Sequence, residues 1–188
     1  MNVGLAVADG DHPRKENDVA NPVMQPGDLR LYIPTDNLVA AGIEIGEMLA
    51  GVDGHYVHVG VVMDASTEVA AYQNGVQIGG LFNAPCDILR IENIAPRDIN
   101  AALVWAKGKA GKTPYAYMDL LYLWFLRRFH AKGPSYPQSQ MICSMLGAEF
   151  VRRCGLDPWP GLLSCEVAPG DFDGAKGLVK IGRWSPLS

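Results

Sequence analysis

The sequence predicts an α+β domain, strands first and helices after. Three observations lead there. Alternating or valine-rich runs crowd the chain before residue 96, among them "DLRLYIP", "HYVHVGVVMD" and "CDILRIENI". From Pro96 onward the apolar residues adopt helical spacing, with proline opening one helix and glycine closing it. Strands and helices are thus segregated, apart from one early helix, instead of alternating as β-α units.

Taken in order, residues 1–22 are polar and proline-containing and read as a tail or loosely packed arm, leaving 23–188 as one domain. The Pro26-Gly27 turn launches a strand with Leu29, Leu31 and Ile33 on one face. "NLVAAGIEIGEML" then carries apolar residues at helical spacing and ends near Gly51. "HYVHVGVVMD" reads as a buried strand. "EVAAY" and "GVQIGGL" follow as a hairpin around Asn74-Gly75. "CDILRIENI" alternates once more. "PRDINAALVWAKGKAG", "PYAYMDLLYLWFLRRFH" and "ICSMLGAEFVRRCG" read as helices, the last stopped by Gly155 and Pro158. "PWPGLL" and "PGDF" are loop signals, and "GLVKIGRW" is a final strand.

Composition narrows the class of partner. With 188 residues, 48% hydrophobic and 19% charged, the chain can bury a full core and is not a disordered sequence. A net charge of −4 without a basic run points away from nucleic acid. The most apolar window, "MDLLYLWFLRRF", falls well short of the roughly 20 residues a membrane span needs. No secretory signal opens the sequence, so the expected site of synthesis and folding is the cytoplasm, with export only by a signal-independent route. Cys86, Cys143, Cys154 and Cys165 form no C-x-x-C pair, which disfavours a zinc ribbon, and the expected compartment favours thiols over disulfides.

Two residues invite chemistry. Cys143 opens a helix, sharing a face with Leu146, Gly147, Phe150 and Cys154. Alone it reads as a small core residue. His58, flanked by valines, reads alone as a satisfied core histidine. His55 and His58 would sit on opposite strand faces, so no metal site is expected. "KGKAGKT" imitates a phosphate-binding loop, but Ala106 stands where its first glycine belongs and a helix precedes it. Paired, the two residues read differently: a thiol at a helix N-terminus and an imidazole on a buried strand are what a cysteine nucleophile requires. Dipole and imidazolium together would draw the thiol below its free pKa of about 8.5.

The order "GDLRLYIP", "HVGVV", a "GV" hairpin, "GKTPYAYMDLL", "ICSMLGAEFVRRCGL" and "PGDF" resembles the circularly permuted, YiiX-like branch of the NlpC-type papain-like hydrolases, over roughly residues 26 to 172. The resemblance implies a papain-like fold with a small antiparallel sheet packed on the cysteine helix. It also implies Cys143 as nucleophile, His58 as base and Tyr115 as a wall of the substrate cleft. Family members often carry Cys-Ser-Glu-Leu, where Met145 stands here, and an orienting glutamate in a "V-I-E-A" strand, where alignment on "NGV" gives Ala70. Glu68, two residues earlier on the same strand face, is the candidate orienting group, with Gln73, a backbone carbonyl or water as alternatives. The implied activity is that of a thiol amidase or peptidase, cleaving an amide bond of a peptide, cell-wall peptides included, or of a lipid amide. Permuted members also include lipid acyltransferases and hydrolases, so acyl transfer or hydrolysis on a lipid is the alternative. No cofactor or metal is implied. A non-catalytic binding module that keeps the fold is the rival reading.

Overall fold

A computed structural model describes residues 21–34, 55–116 and 139–186. The expected helices over "NLVAAGIEIGEML" and "PYAYMDLLYLWFLRRFH" fall wholly or mainly outside these residues. Six strands form one antiparallel sheet: β1 (Leu29–Tyr32), β2 (His58–Val62), β3 (Thr67–Tyr72), β4 (Gly75–Gly80), β5 (Cys86–Ile91) and β6 (Leu178–Trp184). Their order across the sheet is β4-β3-β2-β1-β5-β6, so β1 and β2 are central. Two helices are described, α1 (Pro96–Lys109) and α2 (Cys143–Arg153). The molecule is therefore α+β, as the segregated pattern predicts. "PGDF" is a departure: Pro169–Phe172 winds into a short 3-10 turn, because Asp171 caps the backbone N–H of Ala168 at 2.7 Å.

Register explains what each strand buries. Leu31 faces Val59 and Leu29 faces both Val61 and Leu89, and with Val69, Ala71 and Ile91 they form one apolar face. Both helices cover that face. α1 begins with proline in the first turn and buries Ala102, Leu103 and Ala106. α2 buries Cys143, Leu146, Gly147 and Phe150, the face expected from spacing. The residues between, Arg30, Tyr32, His58, Gly60, Glu68 and Ala70, point to the other side of the sheet. There Tyr32, Cys86 and Ile88 make a second cluster with Met24, Ile181 and Trp184.

Close approach of α2 depends on Gly147. A Cβ there would lie 2.9 Å from Val59 Cγ1 and 3.1 Å from the Phe172 ring, both buried. Gly147→Ala is expected to destabilise by up to about 2 kcal/mol: overpacking costs roughly 1–3, less the gain of about 1 in helix propensity. Denaturant midpoints check this, and an unchanged midpoint would mean the helix slides freely on the sheet.

The first described residues are tied to the sheet rim. The Asn21 side chain both donates to the Ser185 carbonyl and accepts from the Ser185 amide, each at 3.0 Å, while Pro22 packs on Gly182. Residues 21 and 22, expected as the end of a loose arm, are therefore anchored beside β6.

Candidate active site

His58 opens β2 opposite Tyr32 of β1. The β2–β3 register, read on from Gly60 opposite Ala70, brings Tyr72 to its other flank. Ring centroids lie 5.4 Å from Tyr32 and 5.2 Å from Tyr72, so the imidazole sits between two phenols. Both phenols donate to one carboxylate: Tyr32 Oη to Glu68 at 2.6 Å and Tyr72 Oη to Glu68 Oε1 at 2.7 Å. Arg30 Nη1 donates to Glu68 Oε2 at 3.2 Å, and both side chains are fully buried. The remaining Arg30 nitrogens are also used, Nη2 on the Phe82 carbonyl at 2.9 Å and Nε on Cys86 Sγ at 3.3 Å. The guanidinium lies over the rings of Tyr32 and Trp184.

The alternation of β2 makes room for this carboxylate. A Cβ on Gly60 would stand 2.6 Å from Glu68 Oε2, so the glycine of "HVG" is the floor on which Glu68 lies. Glu68 is not an exposed edge-strand carboxylate, the ordinary reading of such a residue, since β3 is interior and its side chain buried. It reaches the histidine through the two tyrosines. Ala70, the aligned acid position, is buried opposite Gly60, and Gln73 lies in the hairpin turn.

His58 Nε2 is shut off from solvent and has no hydrogen-bond partner among the described residues. Burial pushes its pKa down to about 4; the Glu68 carboxylate opposes the push and the Arg30 guanidinium adds to it. Burial also pushes Tyr72 up, with Glu68 and the Cys143 thiol adding to the effect. The imidazole is therefore neutral throughout the physiological range. Between about 6.5 and about 4 the unfolded chain takes up a proton that the folded one refuses, so stability falls as pH drops through that window. The expected loss approaches about 3 kcal/mol. Urea titrations across this range should show the slope, and His58→Gln should remove it; a slope that survives belongs to another group.

Cys143 is buried in the first turn of α2. The preceding Ile142 is extended and supplies no side-chain cap, leaving the helix start to other groups. A chain of backbone pairings fixes where α2 begins. Val76 donates to the Thr113 carbonyl at 2.8 Å, and Tyr115 bridges to Met141, two residues before the thiol. Gly75 at φ +99° allows this close approach, since a Cβ would meet the Thr113 carbonyl. Cys143 thus arrives at the end of the sheet where β2 starts and β3 stops. His58 and the thiol approach that end from different sides: Val59, adjacent to His58, faces the other way and carries Gly147. Tyr72 links them, being in ring contact with His58 and electrostatically coupled to Cys143. Tyr115 is half-buried and packs against the core that includes Cys143.

Sequence reasoning passed over Arg30, Tyr32 and Tyr72. A charged residue between Leu29 and Leu31 was the available signal, because only a central strand forces such a side chain into a satisfied interior. None of the four cysteines is in a disulfide. Among the described residues no His, Cys, Asp and Glu group is arranged to hold a metal ion, and no helix is long and apolar enough to cross a membrane. Compared with protein-family models the chain matches none, and no curated protein matches it.

Proposed function

We propose that the protein is a thiol hydrolase of papain-like, circularly permuted type that cleaves an amide bond, with Cys143 as nucleophile and His58 as base. The observation that carries this reading is the His58 ring: a neutral imidazole on a half-buried residue, whose Nε2 is closed to solvent and has no partner among the described residues, at the sheet end where a cysteine begins a helix. Polar atoms buried at such cost are normally satisfied, and functional sites are the usual exception.

In this mechanism the Cys143 proton passes to His58 Nε2 through one water at the end of the sheet, and Sγ attacks the amide carbon. Backbone amides at the start of α2 hold the resulting oxyanion. The C–N bond breaks as His58 returns the proton to the leaving amine, and water then hydrolyses the thioester. Tyr32 and Tyr72, braced by Glu68 and Arg30, hold the ring in place. Tyr115 would border the acyl group. Peptide amides are the first substrates to assay, cell-wall peptides among them, with lipid amides and esters as the comparison.

A binding module that has lost the chemistry is favoured by one observation: among the described residues Glu68 is hydrogen-bonded to Tyr32, Tyr72 and Arg30, and not to His58. Alkylation separates the two. Under the hydrolase reading Cys143 reacts with iodoacetamide near neutral pH and before Cys86 and Cys154, since burial holds Cys86 up and raises Cys154 to about 12. Labelling of Cys143 only above about pH 8.5 would leave the binding module standing.

A further inference from the structure

A second polar constellation lies on the helix-covered side of the sheet and takes no part in the thiol chemistry. Asp87, on β5, is buried and receives four hydrogen bonds or ion contacts: Tyr56 Oη at 2.6 Å, Lys180 Nζ at 3.0 Å, and Arg183 through Nε at 2.7 Å and Nη2 at 3.1 Å. Lys180 also reaches Tyr56 Oη at 3.1 Å and Asp173 at 3.3 Å. Burial opposes ionisation of Asp87, but the bonds from Arg183, Tyr56 and Lys180 overcome it and hold the carboxyl below its usual range. The cluster is thus fixed in position. It borders a cavity of about 510 Å³ lined by Ile33, Pro34, His55, Tyr56, Asp173, Lys180 and Arg183, a volume that suits a small ligand.

Donor accounting identifies the ligand. Lys180 spends its three protons on Tyr56, Asp87 and Asp173. Among the described residues Arg183 spends two of its five N–H groups, both on Asp87, and over half of its side chain is exposed. The outer edge of the guanidinium, pre-oriented by a buried carboxylate, is left to the cavity. Across it Asp173, about one-third exposed, keeps acceptor capacity. The two cations and two carboxylates sum to zero, so a dianion such as phosphate would add repulsion against Asp87 and Asp173. A single carboxylate accompanied by an amine would not.

We infer that this cavity is a binding site for a zwitterionic, amino-acid-like ligand, its carboxylate paired with the outer edge of Arg183 and its ammonium with Asp173. The site works without the thiol, so it is tested in the full chain carrying Cys143→Ala, which separates its failure from failure of the hydrolase reading. Titration calorimetry with glycylglycine should give saturable binding, at least tenfold weaker for glycylglycinamide, which lacks the carboxylate, and for N-acetylglycine, which lacks the ammonium. Arg183→Lys, which keeps a cation for Asp87 but loses the fork, should weaken glycylglycine at least tenfold. Asp173→Asn, a change at a partly exposed position, should abolish the preference for glycylglycine over N-acetylglycine. The inference is overturned if glycylglycine does not bind, if its amide binds equally well, if inorganic phosphate binds more tightly, or if both variants bind as the parent does.

Discussion

Under the proposed hydrolase reading, Cys143→Ala is expected to abolish turnover, with a fall in kcat of about 10⁴ or more, the scale seen when a covalent nucleophile is removed. His58→Gln is expected to cost a comparable factor, and the double variant little more, because nucleophile and base act as one unit. That non-additivity is the informative measurement. Independent losses that multiply would mean that the two residues serve different steps. The pH profile adds a second check. A base held at about 4 by burial stays unprotonated through mild acid, so the acid limb of kcat/KM should lie near that value and not near 6.5. An acid limb at 6.5 would show that the imidazole is solvated where it works.

Arg30→Met destabilises the fold by about 3–5 kcal/mol, the cost of leaving one partner of a buried ion pair behind. For a chain of this length that is on the order of 10 °C in Tm. The guanidinium is fully buried, and removing it strands the Glu68 carboxylate and the Phe82 carbonyl together. Exchanging both partners, as Arg30→Met with Glu68→Leu, should recover only part of the loss, since the stranded charge goes with its partner but the Tyr32 and Tyr72 hydroxyls lose their acceptor. Thermal unfolding of the single and double variants decides between this and a merely superficial pair, for which the single change would cost under about 1 kcal/mol. The same variant reports on the histidine: Arg30 helps hold the His58 pKa down, so its removal should shift the acid limb upward.

How much of this was legible in the sequence follows from what sequence patterns encode. Period-two alternation located "LRLY" and "CDILRI", a valine-rich run located "HVGVV", and Asn74-Gly75 located the hairpin, because all three are local properties. Proline at the first turn placed α1, and spacing from Cys143 gave the buried face of α2. Strand order is not local. Nothing in "TEVAAY" says that β3 is interior, and hence that Glu68 must be paired inside the fold and not solvated. Nothing near Arg30 announces Phe82, Cys86 or Trp184 as its surroundings, 52 residues or more further along the chain. The tyrosines that bracket His58 come from β1 and β3, and only the register reveals them. His55, expected at the strand entrance and solvated, is exposed ahead of β2, which begins at His58, and lines the cavity beside Tyr56.

The carboxamide of Asn21 has a consequence for how copies of this protein behave together. An outer β-strand offers unsatisfied peptide groups that can template another chain, the first step of edge-to-edge polymerisation. Just past β6, Asn21 gives Ser185 the donor and acceptor that a seventh strand would bring, while Pro22, unable to donate, blocks the next position. Two residues thus cover that corner of the margin against an incoming chain, a task that demands no strand of its own.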